Sequence, residues 1–387
     1  MLGSRTAAPR RDACVRVTEA VFYAHMTTVP FRRRLQISIA LGLLAGLRAY
    51  LVAARTGKTR DFDQVWFAAR SLLAHVDPYT VIGPGRAFDY EFFLFYPLTA
   101  AVAAVPLAPL SAAAASMVFI FVAGGCFAWV LMEHGYEPLL GYMGAGMVFA
   151  AEVVQWSPLF AAAVLLPPLG FFFAAKPTIG AAMFAARPSW WPIVGGLVLG
   201  GIAFAVQPHW LESWRAVLAV PRPTPGAAAP YNLPLLLPGG FVVLAAITRW
   251  RRPEARIVLA LACVPQTTLL YETVPLFLIP RTLKESALLV GLSYLVPAWV
   301  GYVTSASQLA PIYIGTSGRA ITILLYIPAT IMVLRRPNEG ELPAWLERAV
   351  SGWPAWLRGR APSPSVSTTT PSPTVPSNPS APSLQAP

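Results

Sequence analysis

The sequence predicts an all-α integral membrane protein, a polytopic bundle of about 10–12 transmembrane helices. Hydrophobic residues make up 56% of the 387 residues and charged residues 12%, about half the charged fraction that is usual in soluble domains. Apolar stretches of roughly 15 to 22 residues recur from Leu35 to Leu334, and about 20 residues cross the hydrocarbon core. These stretches are too long and too continuous for the alternating strands of an outer-membrane barrel, so helices are expected.

The predicted spans follow these apolar runs in order. They are residues 35–54, 92–109, 112–132, 139–156, 158–175, 190–207, 233–248, 257–271, 273–280, 286–304 and 319–334. Lys176-Pro177 interrupts an apolar run, and Pro167-Pro168 can kink a helix. The sequence therefore leaves open on which side of the membrane Gln155 lies.

Basic residues give the expected orientation. The N-terminal segment 1–34 ends with three arginines before the first span, so the positive-inside rule places it in the cytoplasm and the loop 55–91 outside. The net charge of +12 follows mostly from such topology signals. The rule marks as cytoplasmic Arg249, Arg251, Arg252, Arg256, Arg281, Lys284, Arg335 and Arg336. Glu272 then falls on the outer side, together with Asp61.

The chain divides into a catalytic transmembrane domain over 35–336 and two C-terminal segments. Residues 337–360 include a candidate amphipathic helix that lies on the membrane. Residues 361–387 are rich in Pro, Ser and Thr and are expected to be disordered.

Several function classes are excluded or disfavoured by composition. No soluble stretch is long enough for a nucleotide-binding Rossmann domain, and no basic face with interleaved aromatics indicates nucleic-acid binding. The cysteines and histidines are scattered, without disulfide or metal-ligand spacing. They are Cys14, Cys126, Cys263, His25, His75, His134 and His209.

Acidic residues directly after the first span are the main candidates for catalysis. Asp61 is the first choice for a general base at the membrane surface, a role that typically contributes about 100-fold to 10,000-fold in rate. Asp63 is the second choice. Because Asp61-Phe62-Asp63 is formally Asp-x-Asp, a divalent metal stays possible, and no other cofactor is indicated. The alternative is an ordinary solvated or helix-capping aspartate.

Other candidates concern substrate binding. Arg70 and Arg86 can each hold a phosphate through two parallel hydrogen bonds, or they are solvated loop residues. Lys176 either neutralises a phosphate or snorkels at a helix end. Glu272, a third catalytic candidate, either positions an acceptor hydroxyl or is a boundary residue that reaches water. Tyr79 follows Asp77-Pro78 in a predicted turn and either binds substrate or anchors at the interface.

The motifs around Asp61 resemble glycosyltransferase family 87. The resemblance covers residues 58–111 and includes Asp61-Phe62-Asp63, Ala68-Ala69-Arg70, Asp77-Pro78-Tyr79, Phe95-Tyr96-Pro97-Leu98 and Pro106-Leu107-Ala108-Pro109-Leu110-Ser111. It implies a C-type glycosyltransferase fold and transfer of mannose, or a similar hexose, from a polyprenyl-phosphate sugar to a lipid-linked or glycan acceptor with inversion.

The resemblance also implies that Asp61 is the base, that Gln155 belongs to the donor site, and that the active site faces outward from the cell membrane. The chain departs from the family pattern at Ser157, where an Asn is common. It departs again at Tyr271-Glu272-Thr273, where the family tends to have Trp and His. Two other classes stay open. One is a secondary transporter of a small solute or lipid, and the other is a non-catalytic membrane scaffold.

Overall fold

A computed structural model describes residues 29–56, 60–220, 233–267, 269–307, 313–340, 342, 344–352, 354 and 358. These residues form helices joined by turns and loops, and they contain no strand. The predicted all-helical class is therefore confirmed. The predicted tail 361–387 and most of the N-terminal segment 1–34 lie outside the described residues.

Fifteen α-helices are described in chain order. They are α1 (Phe31–Thr56), α2 (Asp61–Leu73), α3 (Pro78–Val81), α4 (Leu98–Ala104), α5 (Ala112–Leu131), α6 (Ala145–Val153), α7 (Ser157–Ala163), α8 (Pro177–Ala186), α9 (Trp191–Val206), α10 (Trp210–Ala219), α11 (Pro253–Cys263), α12 (Leu283–Ser307), α13 (Tyr313–Ile321), α14 (Ile327–Leu334) and α15 (Ala344–Val350).

Tighter and wider helical turns lie between them. The 3₁₀ helices are Val105–Leu107, Met132–His134, Glu137–Met143, Pro167–Ala175, Pro234–Leu236, Gly240–Arg249 and Leu270–Leu278. A π-helical turn, Thr322–Tyr326, joins α13 to α14.

Four helical segments in the described part of the chain are long and apolar enough to cross a membrane. They are Phe31–Arg55, Ala112–His134, Leu283–Val303 and Ser317–Leu334. A fifth results if α9 and α10, which are bent by 95°, are one broken span. The other predicted spans are divided into shorter helices, often at prolines, so the total of about 10–12 stays a prediction.

Two of the long helices carry a large exposed apolar surface. Only 28% of the most apolar 18-residue stretch of α1 is buried inside the protein, and the fraction is the same for α12. Leu44 on α1 and Leu295 on α12 are examples of large apolar side chains that are more than half exposed. Because exposed apolar faces of this extent suit hydrocarbon and not water, they support a helical membrane protein.

Glycines allow α1 to pack closely along α5. A Cβ added to Gly42 would lie 2.6 Å from the carbonyl oxygen of Phe121, and one added to Gly46 would lie 2.9 Å from that of Met117. Small residues at such positions let two helix backbones approach, which is a common device in membrane bundles. Since α2 begins shortly after α1 ends in the chain, the N-terminus of α2 lies at the far end of α1, which spans about 39 Å.

The arginines that were predicted to be cytoplasmic meet at one end of the bundle. Buried Glu254 is bound by Arg281 at 2.6 Å, and Arg336 and Arg252 lie 3.6 and 3.7 Å from the same carboxylate. Arg34, at the start of α1, pairs with Glu133 at 2.6 Å. The chain around Glu133 reaches this cluster through the contact of the Glu137 carboxylate with the backbone N–H of Leu283. We refer to this end, opposite the start of α2, as the basic end.

The segment after the last span folds back onto the basic end. Arg251 is 3% exposed, and its guanidinium contacts the Glu347 carboxylate at 2.7 Å and the carbonyl oxygens of Gly340 and Arg358. Val350, at the end of α15, is buried. The described part of the predicted amphipathic segment 337–360 is thus held to the protein by specific contacts.

Candidate active site

Asp61 is the first residue of α2, where a negative charge is favoured by the helix dipole. Its carboxylate is partly buried and accepts two hydrogen bonds. The Tyr90 hydroxyl donates to Oδ1 at 3.0 Å, and the Gln155 side-chain amide donates to Oδ2. Both oxygens of the predicted base are therefore oriented by neighbouring side chains.

Gln155 reaches Asp61 from a strained turn. Val154, the residue before it, ends α6 with a left-handed φ of 57°, which is uncommon for a β-branched side chain. Gln155 itself is fully buried. Its carbonyl oxygen Oε1 accepts from Lys176 Nζ at 3.2 Å and from the Tyr96 hydroxyl at 3.4 Å. One amide thus connects the carboxylate to a cation.

Lys176 lies at the break between the 3₁₀ helix Pro167–Ala175 and α8. Pro177 starts α8, and a proline disfavours helical backbone in the residue before it, which explains the break. Lys176 Nζ is 3.7 Å from Glu272 Oε1 and 4.5 Å from the centroid of the Tyr271 ring. Glu272 is 1% exposed, so this ion pair is almost completely buried.

These contacts form one continuous cluster, the Asp61 network, which consists of Asp61, Tyr90, Gln155, Lys176 and Glu272. The sequence placed Asp61 and Glu272 on the same side of the membrane, and in the structure both belong to this cluster at the end opposite the basic end. It also left the position of Gln155 open, and the structure places Gln155 beside Asp61.

Burial shifts the pKa of the two side chains of this network that come from the loop after the first span. Burial raises the pKa of the Asp61 carboxyl above its ordinary value, while the charge of Lys176 and the hydrogen bonds from Tyr90 and Gln155 oppose this effect. Burial also raises the pKa of the Tyr90 hydroxyl, and the negative charge of Asp61 acts in the same direction. Tyr90 therefore remains a protonated donor to Asp61.

Asp63, the second predicted base, has different partners. Its carboxylate pairs with Arg60 at 3.0 Å and also accepts from the Arg60 backbone N–H at 2.8 Å, which caps the start of α2. Ser116 lies 3.4 Å away. The two aspartates of Asp-x-Asp thus bind separate partners. Within the described residues, no group of three or more His, Cys, Asp or Glu side chains is placed to hold a metal ion.

The remaining predicted binding residues lie outside the network. Arg70 is exposed and stacks over the Trp66 ring at 5.0 Å. Arg86 donates to the carbonyl oxygens of Tyr79 and Ile82. Tyr79 is buried, and its hydroxyl donates to the backbone of Tyr96 at 3.1 Å, so it lies one layer behind the site.

The aromatic members of the site were not predicted as functional residues. Tyr90, Tyr96 and Tyr271 all contact a polar member of the network. Tyr96 lies within the quoted Phe95-Tyr96-Pro97-Leu98 motif, and Tyr271 precedes Glu272, so position in a motif is the only sequence signal. Tyr90 has no such signal because its contact with Asp61 depends on the path of the loop.

The arrangement combines three chemical capacities. Asp61 is an oriented carboxylate that can accept a proton. Lys176 is a cation next to it that can bind an anionic group. Glu272 is a second buried carboxylate that balances Lys176. A buried group of ionisable side chains of this kind is typical of a functional site.

Comparisons with known proteins identify no relative of this chain. No family model, no curated protein and no solved structure matches the chain.

Proposed function

We propose that the protein is a membrane glycosyltransferase that moves mannose, or a similar hexose, from a polyprenyl-phosphate sugar to a lipid-linked or glycan acceptor. The observation that carries the proposal is the Asp61 network, in which an oriented carboxylate and a buried cation lie at one end of a helical membrane bundle. The resemblance of residues 58–111 to glycosyltransferase family 87 supports the same activity and a C-type fold.

In the proposed reaction, Asp61 acts as the general base. It takes the proton of an acceptor hydroxyl while that oxygen forms a bond to the anomeric carbon of the sugar. The bond between this carbon and the phosphate oxygen breaks, and the phosphate leaves with the electron pair. Since attack and departure are on opposite faces, the anomeric configuration is inverted.

Lys176 fits the leaving phosphate in this scheme. Its ammonium group is bound to Gln155 Oε1, and Gln155 also orients Asp61, so cation and base are fixed relative to each other. A positive charge held in a poorly solvated site stabilises developing negative charge more strongly than it would in water. Glu272 keeps Lys176 in place.

The proposed orientation puts this site at the outer face of the cell membrane. The basic end then faces the cytoplasm, as the positive-inside rule requires. The donor and acceptor both approach from the lipid phase or from the outer surface, which suits a protein without a nucleotide-binding domain in its described part.

Membranes from expressing cells, supplied with labelled polyprenyl-phosphate-mannose and native lipids, test the activity. We expect labelled lipid or glycan with the opposite anomeric configuration, and none in membranes from cells that lack the protein. A solute that is taken up without chemical change would instead indicate a transporter, for which buried ionisable side chains are equally suitable.

A further inference from the structure

The short helix α10 lies at the end of the bundle that holds the Asp61 network. It follows α9 after a bend of 95° and packs against α3. Two of its side chains donate hydrogen bonds to the loop region before α4. The Ser213 hydroxyl donates to the Asp77 carboxylate at 3.2 Å, and the Trp214 Nε1–H donates to the carbonyl oxygen of Phe95 at 2.9 Å. The helix is thus tied to the segment that carries Tyr96.

The backbone of residues 93–97 is irregular, neither helix nor strand. Two successive carbonyl oxygens of this segment accept hydrogen bonds from side chains. The carbonyl oxygen of Phe95 accepts from Trp214, and that of Tyr96 accepts from the Tyr79 hydroxyl at 3.1 Å. Because an irregular segment lacks the repeated backbone hydrogen bonds of a helix, such side-chain donors satisfy its polar groups and restrain its path. Trp214 and Tyr79 therefore hold the backbone around Tyr96.

Tyr96 carries this restraint into the site. Its hydroxyl donates to Gln155 Oε1 at 3.4 Å, and the same oxygen accepts from Lys176 Nζ at 3.2 Å. The amide nitrogen of Gln155 donates to Asp61. Since 3.4 Å is already long for a hydroxyl donor, a small displacement of the Tyr96 backbone would break the contact. The orientation of the Gln155 amide therefore depends on where the backbone of Tyr96 is held.

We propose that Trp214 is a positioning residue for the Asp61 network. By holding the carbonyl group of Phe95, it keeps the Tyr96 hydroxyl on Gln155 and so fixes the amide that orients Asp61. It acts through the backbone from a helix outside the network. A displacement of about 1 Å at a reacting group can cost about 100-fold in rate, so an indirect contact can be important. This inference rests on the proposed function, because the effect on rate requires a reaction at Asp61.

Trp214→Phe tests the proposal, because it removes the donor N–H and keeps an aromatic ring. Trp210→Phe is the matched control. Trp210 lies one turn earlier on α10 with its ring centroid 6.0 Å from that of Trp214, and its N–H has no hydrogen-bond partner among the described residues. We expect Trp214→Phe to lower kcat about threefold to tenfold with an unchanged KM for the donor, and Trp210→Phe to change kcat by less than about twofold. Equal losses in the two variants would overturn the inference.

A double-mutant cycle with Tyr96→Phe distinguishes positioning from a general loss of structure. Tyr96→Phe removes the hydroxyl that contacts Gln155, so we expect it to lower the transfer rate by itself at least about threefold. If Trp214 acts through that hydroxyl, Trp214→Phe should cost less than about a further twofold in the Tyr96→Phe background. Losses that multiply, or an unchanged rate in Tyr96→Phe, would show that Trp214 does not act through Tyr96.

Hydrogen exchange measures the restraint without catalysis and so separates this inference from the proposed function. In the full-length protein in detergent, we expect the backbone amides of residues 92–96 to exchange at least about tenfold faster in Trp214→Phe than in wild type, and Trp210→Phe to exchange like wild type. This result in a protein that transfers no sugar would support the restraint and refute the transferase. Efficient transfer, with unchanged exchange in Trp214→Phe, would support the transferase and refute the role of Trp214.

Discussion

Two aspartates separated by one residue have different partners in the structure. Asp63 is saturated by Arg60, which caps α2, whereas Asp61 contacts a tyrosine and an amide that link it to Lys176. The Arg60 guanidinium contacts both carboxylate oxygens of Asp63, whereas the two donors to Asp61 are neutral groups. At the scale of single residues, this difference favours Asp61 over Asp63 as the general base of the proposed reaction.

In the proposed mechanism, the acid limb of the pH–rate profile reports the protonation of Asp61. Because burial raises the pKa of this carboxyl, we expect the limb above the pH range of an ordinary aspartate. Lys176 opposes this shift, so Lys176→Met should raise the pKa further and move the limb to higher pH. Lys284→Met, an exposed change at the basic end, serves as the control and should leave the limb in place. A limb that stays or moves to lower pH in Lys176→Met would refute the assignment.

Tyr90→Phe removes one of the two hydrogen bonds that orient Asp61. A hydrogen bond to a charged group is worth about 1.5–3 kcal/mol, so we expect a loss of about tenfold to 100-fold in transfer rate. The acid limb should also move to higher pH, since the lost bond stabilises the charged carboxylate. Tyr136→Phe, at an exposed tyrosine, is the matched control. Unchanged rate and unchanged limb in Tyr90→Phe would show that this contact has no part in catalysis.

Part of this site could be predicted from the sequence. Asp61, Glu272, Gln155 and Lys176 were predicted from motif position and from the expense of ionisable groups in apolar runs. The contacts between these side chains are seen only in the structure. That Gln155 joins Asp61 to Lys176 depends on the left-handed turn at Val154, and no local pattern in the sequence indicates such a backbone conformation.

At the scale of helices, the close approach of α1 to α5 depends on two glycines, Gly42 and Gly46. The glycines of α1 serve this packing, whereas Gly291 on α12 has open space around it. A glycine is therefore needed for close packing in α1, whereas at Gly291 in α12 there is room for a side chain.

Replacing these two glycines by alanine should change the free energy of unfolding in opposite directions. Gly291→Ala should stabilise the protein by up to about 1 kcal/mol, because alanine favours helix more than glycine does. Gly42→Ala should destabilise it by about 1–3 kcal/mol, since its Cβ would lie 2.6 Å from the backbone oxygen of Phe121. Thermal unfolding in detergent measures both changes. A stabilising effect of Gly42→Ala would contradict the packing of α1 on α5.

Hydropathy predicted the long helices better than the short ones. The spans that begin near 35, 112, 286 and 319 correspond to single helical segments of the structure, apart from the π-helical turn in the last. Elsewhere, Gly144, Pro167 and Pro177 divide apolar runs into short helices, because proline lacks a backbone N–H and glycine permits turns. The mean hydropathy of a stretch of sequence does not indicate where a helix is interrupted.

For the whole molecule, the separation of charges defines two ends. Arginines and glutamates form a dense set of ion pairs at the basic end, and the Asp61 network lies at the other end of α1. We expect the basic end in the cytoplasm and the Asp61 network outside.

Cysteine labelling tests this orientation directly. In a background where Cys14, Cys126 and Cys263 are replaced by alanine, Asp89→Cys should react with a membrane-impermeant maleimide in intact cells. Lys284→Cys should react only after the cells are permeabilised. Asp89 and Lys284 are both exposed in the structure, so access to the reagent is limited by the membrane alone. The reverse pattern would invert the topology and place the site in the cytoplasm.

The most direct test of the central claim compares Asp61→Asn with Asp89→Asn in the transfer assay. Both changes convert an aspartate of the same loop into its amide, but Asp89 is exposed, and its carboxylate accepts a hydrogen bond from the backbone N–H of Gly85. With equal amounts of protein, we expect Asp61→Asn to lose at least about 100-fold in rate and Asp89→Asn to retain the wild-type rate. An Asp61→Asn variant as active as wild type would contradict the assignment of Asp61 as general base.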